Sequence, residues 1–262
     1  MDIDTPSIMR RLREHHPLVQ CITNYVSMDI AANLLNAAGA SPAMVHDVRE
    51  AGEFAAITGA VVVNIGTLSP PWVEGMIAAV AVARERGIPW VLDPVAVGAT
   101  AYRRETVAAL LPYGPTVIRG NASEIRSLAL SSTEGRGVDS EASSADALGA
   151  ATGLARSTGA VVAVTGEEDL VTDGERTVVI RGGDSRMPQI TALGCALSAL
   201  VGACCAVGPD PLSATATAMA MLAVAGERAG VRAKGPGSLR WELLDELAVL
   251  EPGALAGRVE PR

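Results

Sequence analysis

The stretch Thr191-Ala-Leu-Gly-Cys-Ala-Leu-Ser198 carries the residue types best placed for chemistry in this chain. Backbone N–H groups of Ala192, Leu193, Gly194 and Cys195 can converge there at the start of a helix, where the dipole favours an anion. Cys195 then falls in the first turn, a position that favours a thiolate and therefore a proton acceptor or nucleophile. The alternative is a small buried apolar side chain in an Ala-rich helix.

Other reactive types lie upstream. Asp93 and Glu124 are the acidic candidates for holding Mg²⁺, a hard cation that takes one or two carboxylates together with substrate phosphates and waters. Each also has an ordinary role open to it, a helix cap for Asp93 and a solvated first turn for Glu124. Arg119 has a planar fork that matches phosphate oxygens, or it forms a surface ion pair. Thr165-Gly166 either lets a nucleotide approach closely or simply turns the chain.

The elements that must position these residues follow from hydropathy patterning. Apolar, β-branched runs predict strands at 18–23, 43–45, 60–65, 89–94, 116–119 and 160–165. Helices are predicted over 6–16, 29–38, 47–57, 72–86, 104–111 and 145–157, with Gly39 as a C-cap. A hairpin around Asp173-Gly174 follows, then Ala-rich helices over 190–208 and 212–229, a Gly235-Pro-Gly turn and a final helix over 238–249. Residues 131–146 lack an apolar period and are expected to form a mobile loop. Alternating strands and helices predict an α/β fold with a largely parallel central sheet and helices on both faces. Ligands bind such sheets outside the carboxyl ends of the strands. Asn24, Met44, Asn64, Asp93, Arg119, Thr165 and the 191–195 turn all fall on that rim.

Composition narrows the function classes. Apolar residues make up 49% and aromatic residues only 3%, so the core must be built of Ala, Val and Leu. A net charge of −8, with Lys234 the one lysine, argues against nucleic-acid binding. Four cysteines, Cys21, Cys195, Cys204 and Cys205, show neither zinc spacing nor disulfide density, which points to a reducing cytoplasm. The start, Met1-Asp-Ile-Asp-Thr-Pro, has no apolar targeting segment. The uncharged run 190–208 approaches a membrane span in length, but it is made of Ala, Gly, Ser and Cys and reads as a buried helix.

Cys21-Ile-Thr-Asn-Tyr-Val26, Asp93-Pro-Val-Ala-Val-Gly98, Arg119-Gly-Asn-Ala-Ser-Glu124, Val164-Thr-Gly166, Gly194-Cys195 and Gly235-Pro-Gly-Ser-Leu-Arg-Trp241 appear in order between about residue 8 and 249. Together they resemble hydroxyethylthiazole kinase, a thiamine-salvage branch of the ribokinase-like superfamily. The resemblance implies a ribokinase-like three-layer sandwich, one kinase domain over 1–262 without a separate lid domain. It implies phosphorylation of 4-methyl-5-(2-hydroxyethyl)thiazole on its alcohol by ATP with Mg²⁺. By matched position Arg119 and Thr165 contact ATP, Met44, Asn24 and the Ala192 backbone line the thiazole pocket, and Asp93 and Glu124 organise Mg²⁺. Ala192, Leu193, Gly194 and Cys195 form the anion hole, and Cys195 stands where many superfamily members place an Asp general base. One departure is Ala192, where the family usually has Gly. The resemblance also implies a homotrimer with sites at subunit interfaces, in which Asn24 and Met44 serve a neighbour's Cys195. Alternatives are a related kinase of a pyrimidine or pyridine alcohol, a nucleotide-dependent dehydratase, and a non-catalytic thiazole-binding protein.

Overall fold

Runs such as Ala60-Val-Val-Val-Asn64 bury every residue, which only a strand covered on both faces allows. A computed structural model, describing residues 3–132 and 144–262, places nine strands in one sheet among the described residues. They are β1 Leu18–Ile22, β2 Ser41–Ala43, β3 Ala60–Asn64, β4 Trp90–Asp93, β5 Val117–Asn121, β6 Val161–Thr165, β7 Asp169–Thr172, β8 Thr177–Ile180 and β9 Val259–Pro261. The order is β2-β1-β3-β4-β5-β6-β7-β8-β9, with parallel pairing as far as β6 and antiparallel pairing beyond. The expected α/β architecture is present.

Alternate strand residues feed two cores. Val19, Cys21, Val62, Val91 and Ala163 pack with α1 Thr5–His15, α2 Met28–Ala38, α8 Leu193–Cys205, α9 Pro211–Arg232 and α10 Pro236–Val249. Val61, Val63, Leu92, Ile118 and Val162 pack with α3 Ala51–Ala55, α4 Pro70–Arg86, α5 Ala101–Leu110, α6 Ala122–Ser132 and α7 Ser144–Thr158. Burying each such Val or Leu contributes roughly 1.5–3 kcal/mol. The small residues of α8 have a steric reason: a β-carbon at Gly202 would lie 2.7 Å from Val62 Cγ2. That close approach seats the first turn of α8 over the strand ends.

The local signals mark several boundaries correctly. Gly39 closes α2 in a left-handed conformation, φ 101°, and Asp210 caps α9 by accepting from the Ser213 N–H at 3.2 Å. Four expectations need correction. The strand expected at 43–45 lies at Ser41–Ala43, because Leu18 pairs with Ser41 and Val45 instead gives its carbonyl to Gln20 Nε2 at 3.0 Å. The helix expected over 47–57 is confined to Ala51–Ala55. The Gly235-Pro-Gly turn is the start of α10, with Pro236 at its first position, where a missing N–H costs nothing. Helix α6 and strand β9 carry no strong local period and were not expected. The loop expected at 131–146 lies largely outside the described residues, its flanks belonging to α6 and α7. No helix among the described residues is long and apolar enough to cross a membrane, and α8 spans only 13 residues.

Candidate active site

Strand register builds the site. Asn64 and Asp93, the last residues of β3 and β4, stand opposite each other, and Asn64 Nδ2 donates to Asp93 Oδ2 at 2.7 Å. Ser198 Oγ, from the second turn of α8, donates to the same oxygen at 2.8 Å. Asn24, just past β1, donates through Nδ2 to Asn64 Oδ1 at 2.8 Å and to Cys195 Sγ at 3.4 Å. All of these except Cys195 are buried, and Asp93 is 1% exposed.

Arg119 and Thr165 leave neighbouring strands β5 and β6, and Arg119 Nη2 donates to Thr165 Oγ1 at 2.7 Å. Arg119 is only 7% exposed, forms no ion pair among the described residues, and its Nε has no hydrogen-bond partner. Asp93 and Asp169 feel its charge without contacting it, and a buried guanidinium with an unfilled N–H favours an anion that completes it. Next to it stands the turn of α8, where Ala192 is the N-cap with φ 62°. The Leu193 N–H is bonded to the Ile190 carbonyl at 3.2 Å and the Ala196 N–H to the Ala192 carbonyl at 3.0 Å. The N–H groups of Gly194 and Cys195 between them point beyond the helix start without an intrahelical acceptor. Cation, free N–H groups and helix dipole therefore converge on one anion position.

Burial first, and the nearby Asp93 second, push the Cys195 thiol up to about 11. The helix terminus favours a thiolate, as expected from the sequence, but desolvation outweighs it and holds Cys195 as a thiol. Burial likewise lifts the Asp93 carboxyl to about 6, against the pull of Arg119.

Glu124 lies in the first turn of α6. Its Oε2 accepts from the Asn121 N–H at 2.8 Å while Asn121 Oδ1 accepts from the Glu124 N–H at 3.0 Å, a reciprocal cap. Its Oε1 accepts from the Ala96 N–H at 3.0 Å, which ties α6 to the loop that follows Asp93. Each oxygen keeps a second lone pair. Glu124 is near enough to raise the Asp93 carboxyl further, and a divalent cation is the natural neutraliser of two such carboxylates. The donor set of Asp93 and Glu124 thus fits Mg²⁺, although the described residues contain no cluster of three or more ligating side chains.

Not every rim residue joins this site. Met44 follows the edge strand β2, half-buried against the core layer that contains Ala192 and Leu193, and takes no part in the hydrogen-bonded network. Asn24 bonds the Cys195 of its own chain, so the expectation that it serves a neighbour's Cys195 is corrected. Asn64 lay on the expected rim without a role, and Ser198 had none. The signal for Ser198 was its place three residues after Cys195, on the same face of one helix.

A largely parallel sheet with an anion turn, and carboxylates at the end of β4 and the start of α6, is the arrangement an α/β kinase of small molecules needs. Residues 9–252 match the Hydroxyethylthiazole kinase family. A hydroxyethylthiazole kinase of Rhizobium johnstonii is 57% identical over 256 residues, covering 97% of this chain and 96% of that protein. The chain therefore belongs to the hydroxyethylthiazole kinase family. The solved hydroxyethylthiazole kinase of Pyrococcus horikoshii superposes with a TM-score of 0.91 at 37% identity, covering 98% of both chains. The pyridoxal kinase of Staphylococcus aureus, in complex with ADP, shares the fold at a TM-score of 0.61 and 20% identity, over 81% of this chain and 88% of that one.

Proposed function

We propose that the chain, a single ribokinase-like domain over 1–262, transfers the γ-phosphoryl group of ATP to the hydroxyl of 4-methyl-5-(2-hydroxyethyl)thiazole. The observation that carries this reading is the buried Arg119, its Nε without a partner, beside the free N–H groups of Gly194 and Cys195. Arg119 and Thr165 bind the nucleotide phosphates. The turn of Ala192, Leu193, Gly194 and Cys195 receives the migrating group, whose spread charge is stabilised by the Gly194 and Cys195 N–H groups already in place. Cys195 meets the substrate alcohol, orienting it as a thiol and, in its ionised fraction, accepting its proton as the new O–P bond forms. Asn24, Met44 and the Ala192 backbone line the thiazole pocket. Asp93 and Glu124 would hold Mg²⁺, which supplies neutralisation of phosphate charge when bound.

Tyr25 and Val26 are 67% and 59% exposed directly beside Asn24, and Val48 is 41% exposed close to Met44. Apolar surface concentrated at the substrate loop supports a homotrimer whose sites lie at subunit contacts, with Met44 completing a neighbouring pocket. Four free cysteines support residence in a reducing cytoplasm. The test is incubation of the protein with the thiazole alcohol, ATP and Mg²⁺. Mass analysis should find thiazole phosphate and ADP, with turnover lost on chelation and restored by added Mg²⁺. ADP without phosphorylated alcohol, or preferential phosphorylation of a pyrimidine or pyridine alcohol, would defeat the reading.

A further inference from the structure

Asn64 has no part in the chemistry above, yet it stands between the carboxylate of Asp93 and the amide of Asn24. It is 1% exposed, so its orientation is set by the protein and not by water. An ionised carboxylate only accepts hydrogen bonds, so Asn64 must present Nδ2 to Asp93 Oδ2. That turns Oδ1 the opposite way, where it accepts from the Gly66 N–H at 2.9 Å and from Asn24 Nδ2 at 2.8 Å. Asn24 has no freedom either, since its Oδ1 holds the N–H groups of Val26 and Ser27 at 3.1 and 3.0 Å. Its Nδ2 must therefore face both Asn64 and Cys195 Sγ. Each amide between Asp93 and the sulfur is thus held in one orientation, with Asn24 Nδ2 donating both back to Asn64 and onward to Cys195. Ser198 also donates to Asp93 Oδ2, but it lies outside the run of amides that leads through Asn24.

We infer that Asn64 is a positioning residue for the transfer step, aiming the Cys195 sulfur by fixing one of its lone pairs on the Asn24 amide. The inference rests on the reading of Cys195 as the group that meets the substrate alcohol. In the step itself, taken by the ionised fraction of Cys195 after its thiol proton has gone to solvent, the substrate oxygen bonds to the γ-phosphorus, the bond from that phosphorus to the β,γ-bridging oxygen breaks, and the hydroxyl proton passes to the thiolate sulfur. ADP departs with the bridging electron pair. Asn64 gives up no proton and keeps the acceptor turned toward the alcohol.

A double-mutant cycle tests this. Asn64→Ala is expected to lower kcat by roughly tenfold or more, with KM for ATP little changed, and to cost nothing further in a Cys195→Ala background. Ser198→Ala is expected to lower kcat by the same factor whether or not the sulfur is present. Asn64→Ser keeps a hydroxyl donor for Asp93 but is too short to reach Asn24, and it replaces the alanine variant in the cycle should that variant not fold. Losses at Asn64 that multiply with the loss at Cys195 overturn the inference and leave the role of Cys195 standing. Full kcat in Cys195→Ala alone overturns both.

Discussion

The guanidinium of Arg119 lies against Gly194 in the first turn of α8, so close that a β-carbon there would sit 2.8 Å from Nη1. A cation from the middle of β5 and a helix start are thereby pressed into one anion site, with the side chain of Thr165 holding the far edge of the guanidinium. Pre-placed donors of this kind need no reorganisation when charge develops on a migrating phosphoryl group.

Gly194→Ala is therefore expected to displace Arg119 and raise KM for ATP by roughly tenfold, with a similar fall in kcat. Arg119→Lys should resemble it, because an ammonium cannot reproduce the planar fork. Steady-state kinetics at saturating thiazole alcohol measures both. Unaltered ATP kinetics in Gly194→Ala would remove this contact from the site.

With the Cys195 thiol near 11, only a small fraction is ionised at neutral pH, and that fraction grows about tenfold per pH unit below the pKa. If proton acceptance limits the rate, kcat of the unaltered protein should climb between pH 7 and 10. Cys195→Asp supplies a base ionised throughout this range and should stay active with a flatter profile, while Cys195→Ala loses most of kcat. A flat profile for the unaltered protein would restrict Cys195 to orienting the alcohol.

Asp169, half-buried at the start of β7, has its carboxyl lifted to about 6 by desolvation, against the pull of the Gly166 N–H and Arg119. In the unfolded chain it titrates near 3.8, so stability is present below that value and is lost as pH rises through 6. Asp169→Asn keeps an oxygen for the Gly166 N–H and carries no charge. It should unfold at a higher temperature than the unaltered protein at pH 8, by an amount on the order of 2–3 kcal/mol, with the difference vanishing near pH 4. Thermal melts across that range decide the matter, and an equal Tm at pH 8 would contradict the desolvation argument.

Ala192 adopts φ 62°, a region in which an L side chain costs roughly 1–2 kcal/mol. This is a physical reason for Gly at that position. Ala192→Gly should leave Tm unchanged or raise it by a few degrees, in contrast to Ala199→Gly in the middle of α8, which should lower it. A stability loss in Ala192→Gly equal to that in Ala199→Gly would show that the strain is not there.

Much of the molecule was legible in the sequence because its determinants are local. Runs such as Val61-Val-Val63 make a covered strand, Gly39 and Gly87 end helices in left-handed turns, and the short links between strands and helices impose parallel order. The rim residues followed, since in such a sheet the residue after each strand faces the ligand side. Tertiary structure alone decided how they act. Cross-strand register set Asn64 against Asp93, and α8, more than a hundred residues later in the chain, brought Ser198 and Cys195 to them. Burial pushed the Cys195 thiol up and left Arg119 Nε without a hydrogen-bond partner. The β2 register moved Met44 beyond its strand. Protonation, pairing and exposure depend on which distant groups exclude water from a side chain, and no local pattern of residues encodes that.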